Sequence, residues 1–320
     1  MVNYKRISFF LVDFVLLVVG YPAALVLLAY RRFGSMRLPY STGMLRRVGV
    51  FPIRRHYYEP LFDTRELRFP LSKERSLPGI NMNIESQLAL LSRLTREEEL
   101  KALKWSTKNQ SRDGFAFGNG SFESGDAEFL YQFVREVKPS RILEIGSGHS
   151  TKVARLALAR NRAETGAPTS HICIEPFEMP WLEKLSDVTI RREKVETSSI
   201  DWAAELQAGD LLFIDSSHII RPQGDVLAEY LEILPLLSAG VFVHVHDIFT
   251  PRDYLPEWLN VDVKFWNEQY LLEVLLGNST RYQIIAGVNF LANNYAEELK
   301  RVCPYLSHGR QPGSFYFTVK

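Results

Sequence analysis

The sequence is poor in cysteine and nearly neutral in charge. Only Cys173 and Cys303 are cysteines among its 320 residues, too few for a disulfide framework. The formal net charge is +1, so no overall electrostatic field favours nucleic acid as a partner. The hydrophobic content of 46% and the charged content of 23% are those of a folded protein. The length predicts one large domain or two modest ones.

Several nucleotide-binding and catalytic motifs are also missing. The dinucleotide fingerprint G-x-G-x-x-G is incomplete, because Thr151 stands where a third glycine would follow Gly146 and Gly148. The phosphate loop G-x-x-x-x-G-K-[ST] and the nucleophile elbow G-x-S-x-G do not occur. The sequence therefore indicates neither a phosphate-loop protein nor an activated serine, and it argues against a dinucleotide ligand.

One stretch, Arg141–Thr151, places an acid and a glycine turn between an apolar run and a helical pattern. The apolar run predicts a strand, and the helix that follows presents Val153, Leu156 and Ala157 on one side. Glycine lets the turn bend sharply and approach a ligand closely, and the helix start offers free N–H groups. Glu144 would repel phosphate but could accept from an ammonium group or lie near a sulfonium. The pattern favours a zwitterionic or cationic ligand over a pyrophosphate.

Apolar runs alternate with helical patterns through the rest of the chain. The later predicted strands cover residues 171–176, 188–195, 211–214, 241–249, 282–288 and 314–319. Such alternation predicts an α/β fold with a mostly parallel sheet and helices on both faces. Parallel strands place their carboxyl ends at one edge of the sheet, where ligands of open α/β folds bind.

The segment Leu143–Gly148 resembles the first motif of the class I S-adenosylmethionine-dependent methyltransferases. Four later segments extend the resemblance over about residues 111–320: Cys173–Pro176, Leu211–His218, Val243–Phe249 and Phe265–Leu272. The resemblance implies a Rossmann-like, mostly parallel sheet of seven strands whose last strand runs antiparallel. It also implies an enzyme that transfers a methyl group from S-adenosylmethionine, here expected to act on an oxygen.

The resemblance further implies a set of cofactor-binding residues. They are Glu144, Gly146, Ser147, Gly148, Glu175 and Asp215. Glu175 ends the second predicted strand, where an acid is placed to accept hydrogen bonds from ribose hydroxyls. In-line transfer of a methyl group needs no protein nucleophile, so the protein mainly has to position and desolvate the reactants.

Four side chains follow two predicted strands that should be neighbours: Asp215, His218, His246 and Asp247. In one interpretation Asp215, His246 and Asp247 bind a divalent metal such as Mg²⁺, which acts as a Lewis acid in metal-dependent O-methyltransferases. In a second interpretation no metal binds, and His246 or His218 is a general base. Asp247 or Asp215 would then orient that base. In a third, the histidines only satisfy backbone groups at the sheet edge.

The N-terminal segment from Ile7 to Tyr30 is almost wholly apolar. At 1.5 Å per residue, a helix of this length crosses a hydrocarbon core of about 30 Å. Lys5 and Arg6 precede it. The arginines that follow it are Arg31, Arg32, Arg37, Arg46, Arg47, Arg54 and Arg55. Because the basic excess follows the apolar run, the positive-inside rule puts the bulk of the chain in the cytoplasm.

The apolar segment also contains Asp13 and Pro22, which leave open a re-entrant hairpin instead of a spanning helix. A cleaved signal peptide fits less well, because the run is long and has an arginine-rich flank. We predict a membrane anchor at residues 1–34. A connecting region with an amphipathic helix follows at 35–110, and a methyltransferase domain covers 111–320.

The sequence therefore predicts an enzyme at the cytoplasmic face of the inner (plasma) membrane. Its expected acceptor is a hydroxyl of a small molecule, a glycan or a lipid-linked compound, and the lipid-linked class rests on location alone. The alternative is a non-catalytic Rossmann-like scaffold in a membrane assembly, which would bind no cofactor.

Overall fold

The computed structural model describes residues 4–53, 55, 59–105, 114–177 and 179–320, without the side chains of 4–8 and 35. The chain divides into two compact units, Met1–Phe69 and Pro70–Lys320. The second unit begins inside the predicted connecting region 35–110. The predicted boundary between 110 and 111 and the predicted flanking residue Arg54 lie outside the described residues.

The first unit contains two helices, α1 (Tyr4–Phe33) and α2 (Pro39–Val48). Short 3₁₀ segments cover Ser35–Arg37 and Thr64–Glu66. Helix α1 runs through Pro22 without interruption. Its stretch Phe9–Phe33 is long and apolar enough to cross a membrane, judged by length and composition.

The second unit is built on a sheet of seven strands. They are β1 (Arg141–Ile145), β2 (Ser170–Ile174), β3 (Thr189–Arg191), β4 (Leu211–Ile214), β5 (Phe242–Val245), β6 (Tyr282–Gly287) and β7 (Phe315–Val319). Their order is β3-β2-β1-β4-β5-β7-β6, with β1 to β5 parallel and β7 antiparallel to both neighbours. The predicted fold class is confirmed. The order reverses between β1 and β4, which is the switch point where such sheets bind ligands.

Helices cover both faces of this sheet. They are α3 (Ile84–Arg93), α4 (Glu97–Leu103), α5 (Asp126–Val137), α6 (His149–Thr165), α7 (Trp202–Glu205), α8 (Asp225–Leu227), α9 (Pro256–Asn260), α10 (Glu268–Asn278), α11 (Val288–Asn294) and α12 (Ala296–Val302). A π-helix, Ala228–Ile233, continues α8, and 3₁₀ segments cover Leu182–Lys184, Val195–Thr197 and Leu234–Leu236. The predicted amphipathic helix is present as α3 and α4.

Alternate residues of each strand belong to two separate cores. Leu211 and Phe213 of β4 pack with α3 to α6, whereas Leu212 and Ile214 pack with the helical segments on the other face. All four residues are buried, as expected for a strand covered on both sides. Strand β3 is shorter than predicted, because the charged residues 192–194 turn away from the sheet edge and Arg192 pairs with Glu183.

A buried arginine joins three of the helices. Arg135 of α5 is fully buried and donates from Nε to Glu99 Oε2 of α4 at 2.9 Å. It also contacts Asn161 and Glu164 of α6. Side-chain hydrogen bonds from Arg135 lower the pKa of Glu99 to about 2. The network therefore links α4 and α6 through one guanidinium group.

We expect Arg135→Ala to lower the free energy of unfolding by roughly 2–3 kcal/mol, because Glu99 loses its buried charge partner and keeps only the pair with Arg96. Glu99 has a lowered pKa, so its stabilising effect is present above pH 4.5 and lost as the pH falls towards 2. Unfolding of the full chain in detergent micelles across that range should show a weaker acid dependence in the variant. Arg160→Ala, an exposed change on α6, is the control. Equal stability of the two variants would contradict the prediction.

Candidate active site

The turn between β1 and α6 passes very close to the end of β4. Gly146 has φ +75°, and a Cβ atom placed on it would lie 1.8 Å from the carbonyl oxygen of Asp215. No side chain fits in that space, and the left-handed backbone also favours glycine. The backbone N–H of Asp215 donates to the carbonyl of Ile145 at 2.9 Å. The ends of β1 and β4 are thereby held against each other.

Helix α6 begins at this turn. Gly148 is its N-cap residue, and the Gly148 N–H donates to Thr151 Oγ1 at 3.0 Å. Thr151 is fully buried. The residue that replaces the third glycine of the dinucleotide fingerprint therefore closes the first turn of the helix. Ser147 precedes the cap, and its N–H points to the end of β2, where it donates to Glu175 Oε2 at 3.2 Å.

A cavity of about 450 Å³ lies beside the turn. Of the predicted cofactor residues, Gly146, Glu175 and Asp215 line it, and Glu196 also lines it. The Glu175 carboxylate accepts from Ser147 N–H and, at 2.9 Å, from Phe177 N–H. These two bonds fix the carboxylate of a nearly buried acid at the cavity wall.

Glu144 lies elsewhere. Its carboxylate is buried and accepts a hydrogen bond from Ser150 Oγ at 2.5 Å. It also contacts His171 Nε2 at 2.9 Å and Cys173 Sγ at 3.4 Å. Glu144 is absent from the residues that line the cavity. Its carboxylate joins α6 to β2 inside the fold, and its contact with a ligand stays a prediction.

A second cavity, of about 620 Å³, opens on the other side of Asp215. Asp215 lines both cavities. The second cavity also contains His218, His246 and Asp247, so the four predicted strand-end residues come together. Its remaining walls include Asp126 and a mixed aromatic and polar group: Glu257, Trp258, Asp262, Lys264, Trp266, Arg310 and Gln311.

The four strand-end side chains form one compact cluster. Asp215 Oδ1 lies 3.3 Å from His218 Nε2 and 3.4 Å from His246 Nδ1. Asp247 Oδ2 lies 3.6 Å from His218 Nε2, and Asp247 Oδ1 lies 3.5 Å from His246 Nδ1. Each histidine therefore faces the same two carboxylates.

Two further acids complete the cluster. Glu268 Oε2 lies 2.8 Å from His218 Nδ1, and Glu268 Oε1 accepts from the Tyr230 hydroxyl at 3.0 Å. Asp126 Oδ2 lies 3.9 Å from His246 Nε2. Glu268 and Asp126 each begin a helix, so the sequence indicated only a favourable charge at a helix N-terminus. No pattern in the sequence pointed to their contacts with the histidines.

Mutual charge compensation sets the ionisation of this cluster. Burial disfavours ionisation of Asp215, but His246 and His218 outweigh it and lower the pKa of Asp215. Burial likewise opposes protonation of His218, yet Asp215 and Glu268 raise its pKa well above the ordinary value. Burial also opposes protonation of His246, but Asp247 and Asp215 outweigh this effect and raise its pKa. Burial raises the pKa of Asp247.

The backbone is strained at the same place. His218 has φ +59° and Asp247 has φ +58°, both in the left-handed region that side chains disfavour. A Cβ atom on Gly313 would lie 2.9 Å from Asp247 Cα. Strain of this kind persists only where the surrounding structure enforces it, and it clusters at functional sites.

The donor set of this cluster fits a divalent cation. Asp215, His246 and Asp247 each offer one ligand atom, and these atoms lie within 4.8 Å of one another. Donors around one ion, each about 2.0–2.6 Å from it, have similar mutual distances. Neither ring nitrogen of His246 makes a well-oriented hydrogen bond within the described residues, although both are buried.

Comparison with known proteins agrees with this fold. Residues 143–248 match the model of a family described as a methyltransferase domain. An uncharacterized protein of Archaeoglobus fulgidus is 31% identical over 146 residues, which are 43% of this chain and 64% of that protein. The chain thus spans less than two thirds of the relative's length.

Three solved structures are also similar. The plantazolicin methyltransferase BpumL is 13% identical, with 74% of this chain and 97% of that chain covered and a TM-score of 0.38. The O-methyltransferase from Bacillus cereus is 14% identical (73% and 91% covered, TM-score 0.35). TomG from Streptomyces achromogenes is 16% identical (73% and 88% covered, TM-score 0.32).

The family match covers the segment that builds β1, the glycine turn, β2, β4 and β5. The seven strands, mostly parallel, and the antiparallel β7 are those that the resemblance of Leu143–Gly148 implied. The matched segment 143–248 is therefore similar to a methyltransferase domain, and the sheet has the fold that the resemblance to the class I S-adenosylmethionine-dependent methyltransferases implied.

Proposed function

We propose that the protein transfers a methyl group from S-adenosylmethionine to a hydroxyl of a small-molecule, glycan or lipid-linked acceptor. The observation that carries this proposal is the pair of cavities that share Asp215. One cavity lies beside the glycine turn, where a nucleoside ligand belongs. The other contains the histidines and acids that could receive a proton. A methyl donor and an acceptor would meet at their common wall.

The cavity beside the turn suits the cofactor. Glu175, fixed by two backbone N–H groups, would accept from the ribose hydroxyls. Gly146 lets the backbone approach the ligand closely. Asp215, whose pKa is lowered by the histidines although burial opposes this, would present a negative charge towards the sulfonium or ammonium group.

The second cavity suits a polar acceptor with hydroxyl groups. Trp258 and Trp266 line this cavity, and Lys264 Nζ lies 4.8 Å and 5.0 Å from their ring centroids. Asp262 and Gln311 add hydrogen-bonding groups to the same walls. Aromatic faces beside planar polar side chains complement a sugar, which presents C–H groups on one side and hydroxyls at its edge. This wall chemistry favours the glycan within the proposed acceptor classes.

His218 is the best-oriented proton acceptor. Glu268 holds its Nδ1–H at 2.8 Å, so Nε2 is the atom turned towards Asp215 and the second cavity. The acceptor oxygen would attack the methyl carbon as the carbon–sulfur bond breaks, and its proton would pass to Nε2. The neighbouring acids raise the pKa of His218 against the effect of burial. The proton on Nε2 must therefore leave before His218 can take one from the acceptor hydroxyl.

A divalent cation such as Mg²⁺ would be held by Asp215, His246 and Asp247, as their spacing permits. When bound, it would act as a Lewis acid that lowers the pKa of the acceptor hydroxyl. Asp126 lies on the far side of the His246 ring, where it could fix the orientation of the imidazole.

The proposed location is the cytoplasmic face of the inner (plasma) membrane. Helix α1 supports it by length and apolar composition. The arginines that follow α1 support the orientation through the positive-inside rule.

Glu175→Gln should weaken binding of S-adenosylmethionine by about tenfold or more, because it removes the charge that accepts the ribose hydroxyls. Calorimetric titration of the full chain in detergent micelles measures this affinity. Glu298→Gln, an exposed change on α12, should bind like the parent. Absence of binding by the parent would favour the scaffold alternative, and equal binding by both variants would remove Glu175 from the site.

Mn²⁺, a spectroscopic substitute for Mg²⁺, should bind the parent chain and lose affinity by about tenfold or more in Asp247→Asn. The free Mn²⁺ signal in electron paramagnetic resonance reports binding without any acceptor. Glu268→Gln, which alters no proposed ligand, should retain the metal. If the parent does not bind Mn²⁺, with or without the cofactor, the metal interpretation is wrong.

Glu268→Gln should lower the rate of methyl transfer by roughly tenfold to a hundredfold, because His218 loses the acid that orients it. Transfer of radiolabel from S-adenosylmethionine into bacterial glycan and membrane-lipid extracts gives this rate. Calorimetry should show unchanged cofactor affinity, which separates loss of the base from loss of the fold. An unchanged rate in this variant would exclude orientation of the base by Glu268.

A further inference from the structure

The positive charge of the chain is concentrated just after α1. Residues 31–69 contain nine arginines, no lysine and only three acids, in a chain whose net charge is +1. The three acids are already engaged. Glu59 pairs with Arg31, and Asp63 and Glu66 pair with Arg55. With nine arginines against three acids, the segment keeps an excess of positive charge when these pairs are formed.

Helix α2 carries part of this charge next to an apolar stripe. Tyr40, Met44 and Val48 recur every four residues, so they lie on one face of the helix. They are 93%, 56% and 68% exposed. Arg46 and Arg47 occupy its last turn and are also exposed, and α2 has no buried residue. Such a face is costly in water unless a surface covers it.

The other face of α2 is tied to the end of α1. Thr42 Oγ1 lies 2.6 Å from the Tyr30 hydroxyl in the last turns of α1. Thr42 lies about half a helical turn away from the stripe formed by Tyr40, Met44 and Val48. The stripe therefore faces away from α1, and α2 starts where a membrane-spanning α1 would leave the bilayer.

We propose that α2 lies on the membrane surface and binds anionic phospholipid headgroups. The inference rests on the proposed membrane location of α1. Tyr40, Met44 and Val48 would enter the boundary between headgroups and acyl chains, as the apolar face of an interfacial helix does. Arg46 and Arg47 would contact lipid phosphates, for which the guanidinium fork is well suited.

Charge and position together favour a lipid surface over an acidic protein. An acidic protein would neutralise the arginines but gives no reason for an apolar stripe beside the end of a membrane helix. Clusters of basic residues that directly follow a membrane helix on its cytoplasmic side are typical of binding to anionic lipids. The arginine excess of residues 31–69 has that position and composition.

The test uses the full chain in nanodiscs of phosphatidylcholine, with or without phosphatidylglycerol. Both native cysteines, Cys173 and Cys303, are buried, so Met44→Cys can be labelled selectively with an environment-sensitive fluorophore. A nitroxide near the headgroup end of the acyl chain reports insertion of α2. A second variant, Val18→Cys, with a nitroxide near the bilayer centre reports insertion of α1.

We expect the label at position 44 to be quenched roughly threefold more in discs with phosphatidylglycerol than without it. Arg46→Gln with Arg47→Gln should lower the ratio of docked to undocked helix by roughly tenfold. Arg160→Gln with Arg301→Gln removes the same charge from exposed positions of the second unit and should change nothing.

Each other result overturns the inference. Quenching at position 18 but not at 44 would show an inserted α1 with an undocked α2. Quenching at 44 that does not depend on phosphatidylglycerol or on the two arginines would exclude recognition of anionic lipid. If Arg160→Gln with Arg301→Gln lowers the quenching at position 44 equally, the effect depends on the net charge of the chain and not on α2. Absence of quenching at position 18 would remove the membrane location itself, and this inference with it, while cofactor binding would stand.

Discussion

The close passage of the glycine turn over the end of β4 determines the layout of the second unit. Gly146 can lie against the Asp215 carbonyl only because it has no side chain. That contact leaves the Asp215 side chain between two cavities, and it brings Ser147 within reach of Glu175. A larger residue at Gly146 would separate β1 from β4, and both cavities would change shape together. Because the strand order reverses at this point, the close contact between Gly146 and Asp215 lies where ligands of such sheets bind, with one cavity on each side of Asp215.

Two buried charge networks in this unit have different physical characters. The network around Arg135 is structural, because each nitrogen of the guanidinium group donates to an oxygen of α4 or α6. The cluster around Asp215 instead lines two cavities, contains left-handed residues at His218 and Asp247, and leaves the His246 ring poorly hydrogen-bonded. Buried charges without full compensation are costly. Their concentration at one edge, with backbone strain, indicates that the fold tolerates the cost for ligand binding.

The sequence predicted the sheet well, because its buried strands are short apolar runs that end in polar residues. For the same reason it placed Asp215, His246 and Asp247 at one edge, where parallel strands end together. It failed where contacts depend on distant parts of the chain. Glu268 reaches a histidine fifty positions earlier, and nothing local announces that bond. The direction of Glu144 was equally hidden, because a residue next to a turn can point into either face of the sheet.

The net charge of the whole chain does not reveal how the charged residues are distributed along it. A value of +1 excludes a global field, yet it conceals an arginine-rich segment at 31–69 that acids elsewhere in the chain offset. At the proposed membrane location, this uneven distribution of charge affects which class of acceptor the protein would meet. Confinement to the bilayer surface raises the effective concentration of any acceptor that shares that surface. A freely soluble acceptor gains nothing from it. Together with the aromatic and polar walls around Trp258 and Trp266, this argument ranks a lipid-linked glycan above a soluble metabolite.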